Sequence, residues 1–250
     1  TLLRNLPSNR CSVQQVRPTG HLCAHCRGGR GLSPSGRTGF EGEVCFLPDH
    51  MSKDRRIYRA KCSPEGLTGF VVREGESDLL LFAEKNLQQL ARQVLRACRR
   101  DLVEYLREHP GFGTSFEPVA VQPGAPLVVR MMSESSFLTR TGPMASVAGA
   151  IAELVGRALL QESAEVIVEN GGDLFICLGR EATVAIGAGS SVFSERIGIR
   201  LRPCPGGMGV ATSSATVGHS YSAGGADAVT VVAPSAAVAD GMATYVGNRI

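Results

Sequence analysis

The stretch at residues 165–179, EVIVENGGDLFICLG, constrains the fold more than any other part of this chain. Two apolar, β-branched runs are separated by Asn-Gly-Gly-Asp. A turn that tight needs positive φ at its central residues, which glycine supplies without a steric penalty. The pattern predicts two antiparallel strands, over 166–168 and 174–177, joined by a hairpin. One end of that pair is bare backbone: either a plain turn or a place where a ligand meets main-chain N–H groups.

The rest of the body is read around this hairpin. Further strands are expected at 56–62, 67–74 and 77–84, with turns at Ser63-Pro64-Glu65-Gly66 and Glu74-Gly75. Later ones are expected at 183–186, 197–201 and 228–232, with GVATSS (209–214) lying between the last two. Apolar residues at helical spacing (Leu87, Leu90, Ala91, Val94, Cys98, Leu102, Tyr105, Leu106) predict a helix over 86–109, capped by Asn86 and stopped by Pro110-Gly111. Its Leu87/Leu90/Val94/Leu102/Leu106 face is expected on the sheet with Val94 well buried, and Cys98 reads as a small buried hydrophobe. A second helix over 142–160 sets Val147, Ile151, Leu154, Val155 and Ala158 on one face, behind Pro143 in its first turn. Its other faces are Ala and Gly, small enough to let it approach a sheet or a ligand closely. A last helix begins near Ser235. Runs of strands with few helices predict an α+β fold of mostly antiparallel sheets covered by helices. No strand–GxGxxG–helix unit and no GxxxxGK[ST] occurs, so neither a Rossmann fold nor a P-loop is supported.

Charge narrows the partners. The net +3 resides in residues 1–50, which hold six Arg against three acidic residues, while residues 51–250 hold twenty of each sign. A neutral body with 5% aromatics lacks the basic face of a nucleic-acid module. No lysine follows Lys85, which excludes Schiff-base chemistry in the C-terminal half. No run approaches the roughly 18 apolar residues of a membrane helix, and no signal segment is visible, so the expectation is a cytoplasmic protein. The expected partner is a small-molecule ligand, with neither nucleic acid nor membrane; a homodimer stays open as the assembly.

Residues 1–50 differ in kind, being rich in Arg, Gly, Ser, Pro and Cys without periodicity. Cys23 and Cys26 form a C-x-x-C beside His21 and His25, flanked by Cys11 and Cys45. Three readings stay open: text upstream of a true start at Met51, a disordered tail, or a small zinc site, for which the ligand set is incomplete. The expectation is a non-core extension over 1–50 that packs little against the body and holds no stoichiometric zinc, followed by one domain over 51–250.

Four segments in order carry a family resemblance: the Gly/Ala-rich helix over 142–160, NGGD (170–173), TSSATVGHS (212–220) and ADAVTVVAPSAAVADGMAT (226–244). From about Tyr58 onward the chain resembles the ApbE-like superfamily, founded on FAD:protein FMN transferases. It is closer to an uncharacterised, cytoplasmic branch marked by G-P-M-A-x-V-A-G-A-I-A, E-N-G-G-D and T-S-S-x-T-V-G-H-S. The resemblance implies an ApbE-like fold and a flavin-nucleotide site (FAD or FMN) using Mg²⁺. Asn170, Gly171, Gly172 and Asp173 would line that site together with Thr212 and Ser213. Asp240 and Thr244 would hold the metal, and His219 and Asp240 would be the catalytic residues. An i, i+4 pair shares one helical face, and carboxylate and hydroxyl oxygens suit Mg²⁺. Blander readings stand beside these: Asp240 as a cap of its own helix, Thr244 bonded back to the Asp240 carbonyl, His219 as a structural histidine.

The chain departs from the transferases at Ser214, where they have Gly, and in HSYSAGGADAV after the histidine. The branch pattern also continues beyond Ile250, so the C-terminus is expected to be incomplete. Three functions follow: a Mg²⁺-dependent flavin-nucleotide binding or FMN-transferase-like enzyme, a protein of sulfide assimilation into homocysteine (an association of that branch), or a non-catalytic binding protein on a decayed scaffold.

Overall fold

A computed structural model describes residues 44–46, 59, 62–189, 191–214 and 224–250. The strands among them are β1 (Val44–Phe46), β2 (Thr68–Glu74), β3 (Ser77–Ala83), β4 (Val166–Asn170), β5 (Asp173–Cys177), β6 (Ala182–Ala185), β7 (Gly198–Leu201), β8 (Met208–Ser213) and β9 (Val229–Ala233). The helices are α1 (Gln88–Glu108), the single-turn α2 (Pro110–Thr114), α3 (Leu127–Thr139), α4 (Val147–Leu159), entered through a 3-10 turn at Pro143–Ser146, and α5 (Ala236–Gly247).

Six strands in the order β2-β3-β4-β5-β8-β9 form a wholly antiparallel sheet. A smaller sheet, β1-β6-β7, pairs β1 parallel and β7 antiparallel to β6. Strand side chains alternate between faces, and the main sheet uses both. One face sends Val72, Leu79, Leu81, Val168 and Phe175 against Leu95, Val155 and other residues of the helices. The other sends Leu80, Phe82, Ile167, Leu174 and Ile176 against Val184 and Leu201 of the smaller sheet. This is the α+β architecture expected from the sequence, with helices on one side of an antiparallel sheet.

Small residues set how closely α4 and α5 approach. A Cβ on Gly149 would collide with the Ala236 carbonyl, and one on Gly156 with the Phe175 ring. The glycines of the second helix thus serve close packing, which offsets their weak helix propensity.

Several expectations are corrected. Val94 is only partly buried, whereas Leu95 is fully buried beside Ala91, Cys98 and Leu102. Leu102 of the expected face is buried, and Leu87, Leu90, Val94 and Leu106 pack against the same core while only partly buried, because α1 leans on α4 as well as on the sheet. The N-cap of α1 is Leu87, not Asn86, and has no side-chain cap; Asn86, one residue earlier, accepts from the Gln88 N–H at 2.9 Å. Helix α3 was not foreseen. Residues 44–46, inside the expected extension, form β1, whose backbone pairs with the edge of β6. GVATSS lies in β8, between β5 and β9. The strand expected at 56–62 and the C-x-x-C with its histidines fall outside the described residues, apart from Arg59 and Cys62, which are in no strand.

Candidate functional site

The NGGD segment is a two-residue hairpin. Asn170 pairs with Asp173 across β4 and β5, and Gly171 and Gly172 have φ of 66° and 115°. The plain-turn reading is therefore correct as geometry. A Cβ on Gly171 would meet nothing within 4 Å, so this backbone faces open space. Asn170 and Asp173 lie on the helix-facing side of the sheet, and the Asn170 amide donates to the Ala148 carbonyl at 3.0 Å. The hairpin is thus tied to the first turn of α4.

Asp240 reaches the same turn from α5. Its Oδ2 accepts from the Gly149 N–H at 2.9 Å, and the Ala148 amide also favours its charged form. These are among the donors that the start of α4 leaves without intrahelical partners. Asp240 therefore caps a helix, but α4 and not its own. Glu153 of α4 returns the favour: its Oε2 accepts from Ser235 Oγ and the Ala236 N–H, both at 2.7 Å, at the start of α5. Two antiparallel helices cap each other through buried carboxylates.

The two aspartates differ from Glu153 in their neighbours. Glu153 is ion-paired with Arg157 at 2.7 Å. Asp173 has no hydrogen bond or ion pair among the described residues, and burial, then the Asp240 carboxylate, then Glu169 raise its pKa well above the carboxylate range. Burial pushes Asp240 up to about 7, against the pull of the Gly149 and Ala148 amides. A carboxylate close enough to raise its neighbour favours a shared proton or a cation. Thr244 follows Asp240 by one turn, and its hydroxyl makes no hydrogen bond among the described residues, including the back-bond to the Asp240 carbonyl. Thr212 and Ser213 continue β8 just beyond Ala211, the partner of Asp173, and the hydroxyls of Thr212 and Thr230 are 2.8 Å apart.

The structure therefore brings Asn170, Gly171, Gly172, Asp173 and Asp240 together at the start of α4, with Thr212, Ser213 and Thr244 on the adjoining strand and helix. His219 lies outside the described residues. Sequence reasoning missed Glu153 and the Ala148 and Gly149 amides; the one signal was a glutamate inside an otherwise apolar helix. Among the described residues no three His, Cys, Asp or Glu side chains form a group that could hold a metal ion, so a cation here would draw on a carboxylate pair with hydroxyl and main-chain oxygens. Burial pushes the Cys98 thiol up to about 11, as befits an inert packed cysteine.

A family model described as "AbpE bacteria" matches residues 59–250. The chain belongs to this family. Among relatives of this AbpE-family chain, a UPF0280 protein of Methanothermobacter thermautotrophicus is 48% identical over 151 residues, covering 60% of this chain and 58% of that protein. A UPF0280 protein of Methanocaldococcus jannaschii is 41% identical over 172 residues, covering 68% and 70%. Solved structures similar to it include the apo flavinyl transferase ApbE of Pseudomonas stutzeri, at 16% identity and TM-score 0.44 over 72% of this chain and 83% of that one. The flavin transferase ApbE of Vibrio cholerae aligns at 14% identity and TM-score 0.47, over 72% and 85%. No helix among the described residues of this family member is long and apolar enough to cross a membrane.

Proposed function

We propose that this AbpE-family protein binds a flavin nucleotide, FAD or FMN, together with Mg²⁺ at the junction of the NGGD hairpin, α4 and α5, as an FMN-transferase-like enzyme. The observation that carries the reading is the meeting of Asp173 and Asp240, far apart in sequence, without a cationic side chain among the described residues to neutralise them. The residues present fit a hard cation: two carboxylates and the free Thr244 hydroxyl are oxygen donors of the kind Mg²⁺ takes. Mg²⁺ bound there would offset the charge of nucleotide phosphates beside the carboxylates.

The chain's own residues do the rest. Gly171 offers backbone without a Cβ, so a ligand can come within hydrogen-bond reach of the hairpin. Asn170 fixes that hairpin to α4, and the Gly149 contact fixes Asp240, so the carboxylates are held by rigid elements. Thr212 and Ser213 supply hydroxyls at the next strand. His219 is assigned the hydrogen-bond donor or acid–base role, a role that imidazole chemistry suits.

Flavin fluorescence titration checks this. FAD is expected to bind with Mg²⁺ present and to weaken sharply when it is chelated. Asp240→Asn, which keeps an acceptor for the α4 amides, should abolish the Mg²⁺ dependence with the far-UV spectrum unchanged. FAD binding that ignores both Mg²⁺ and this substitution would refute the reading.

A further inference from the structure

We propose that Arg140 is an anion-binding residue of this site, kept at a backbone position that favours glycine. The proposal rests on the nucleotide reading above, since a pocket walled by Asp173 and Asp240 that receives phosphates needs a fixed positive charge as well as a metal. Among the described residues lysine does not supply it, since Lys85, the one lysine there, is paired with Glu162 at 2.9 Å. The arginines on the elements around α5 narrow the choice. Arg157 is engaged by Glu153 at 2.7 Å. Arg249 lies over the Tyr245 ring and donates to the Tyr245 carbonyl at 2.9 Å. Arg130 sits nine residues before the end of α3, roughly 13 Å along the helix at 1.5 Å per residue. Arg140 remains, exposed and with no hydrogen bond or ion pair of its side chain among the described residues.

Its position fits the role. Arg140 follows Thr139, whose hydroxyl would be 2.8 Å from a Cβ on Gly241, the neighbour of Asp240. Thr139 is bonded at 2.8 Å to Thr141 on the other side of Arg140. Arg140 is therefore pinned between two threonines beside the second turn of α5, at the head of the segment that runs through Pro143 into α4. Its backbone is left-handed, with φ 57° and ψ 44°, as the residue that ends α3. Glycine is the usual residue there, because a Cβ crowds the following carbonyl. An arginine held in that conformation with an idle guanidinium marks a position where backbone preference gives way to a side-chain function.

Arg140→Gly separates the two roles. In the full chain with Mg²⁺, ADP serves as the probe, read by calorimetry, with the melting temperature measured in parallel. Arg140→Gly should hold or raise the melting temperature and weaken ADP by about tenfold or more, the loss of one charge-assisted contact. Arg140→Gln should weaken ADP similarly without raising the melting temperature, and Arg140→Lys should retain most of the affinity. Wild-type ADP binding that persists unchanged in Arg140→Gln overturns this inference alone. A fall in melting temperature in Arg140→Gly with ADP affinity intact does the same, making Arg140 a structural helix end. A wild-type chain that binds neither ADP nor FAD with Mg²⁺ overturns the nucleotide reading and this inference with it.

Discussion

The two faces of the main sheet handle negative charge in opposite ways. On the face toward the smaller sheet, Glu169 and Asp78 are buried, and Arg59 bridges them, bonding Glu169 Oε2 at 2.8 Å and Asp78 Oδ1 at 2.6 Å. Arg73 adds a second contact to Asp78 at 2.7 Å. On the face toward the helices, the Asp240 carboxylate raises the pKa of Asp173; main-chain amides relieve Asp240 alone, and neither carboxylate is ion-paired among the described residues. Glu169 and Asn170 are neighbours on β4, so one residue of register separates a charge cluster with its counter-ion built in from one without. The first is architecture. The second has negative charge that no described side chain offsets.

Substitutions on the two faces should therefore differ in sign. Glu169→Ala leaves Arg59 buried without one of its carboxylates and is expected to cost about 3–5 kcal/mol in urea denaturation. A loss below about 1 kcal/mol would put that network in the class of surface pairs and break the contrast. Gly149→Ala drives a methyl group into the Ala236 carbonyl, displacing α5 and Asp240 with it. Overpacking of that kind costs roughly 1–3 kcal/mol, and nucleotide affinity should fall further than stability does. Asp173→Asn has the opposite sign: in chelator at pH 8 it should raise the denaturation midpoint, because burial and the Asp240 carboxylate disfavour the ionised wild-type group. That gain should vanish near pH 4, where the wild-type carboxyl is protonated.

The pH profile of the metal-free wild type follows from the same shifts. Asp240 titrates near 7 in the folded chain and in the ordinary carboxylate range when unfolded. A group raised on folding favours the fold while protonated, so its contribution is complete below the ordinary carboxylate range and is lost as pH climbs through about 7. Asp173 is raised too and acts in the same direction. Unfolding free energy should thus decline from pH 4 to pH 8, and the Asp173→Asn/Asp240→Asn double variant should flatten the decline. A wild-type profile that rises over that window would contradict the unpaired state of these carboxylates.

What could be read from the sequence follows from what is local. The NGG tripeptide dictates its own hairpin, and the alanine and glycine content of α4 announces a close approach without naming the partner. Helix α3 escaped because it lacks a side-chain N-cap and begins with β-branched Val128-Val129 behind Pro126. Its buried face is also built from Ser133, Ser135, Ser136 and Thr139, polar residues that a hydrophobic periodicity does not register. The shift from Val94 to Leu95 depends on which neighbours α1 leans on, a tertiary fact. At the site, the residue types were legible through the family resemblance, yet the role of Asp240 as a cap for α4 was not. Its donor is a main-chain amide 91 positions away, and backbone donors leave no mark in side-chain identity.

The most direct test compares how Mg²⁺ acts on the two faces through stability alone. Chemical denaturation of the full chain at pH 8, with and without Mg²⁺, is to be run on the wild type and on the Asp173→Asn/Asp240→Asn variant. Mg²⁺ should raise the wild-type midpoint, as any ligand of the folded state does, and leave the double variant unmoved. A wild-type midpoint indifferent to Mg²⁺, or an equal rise in the variant, would show that the carboxylates facing the helices are not a cation site.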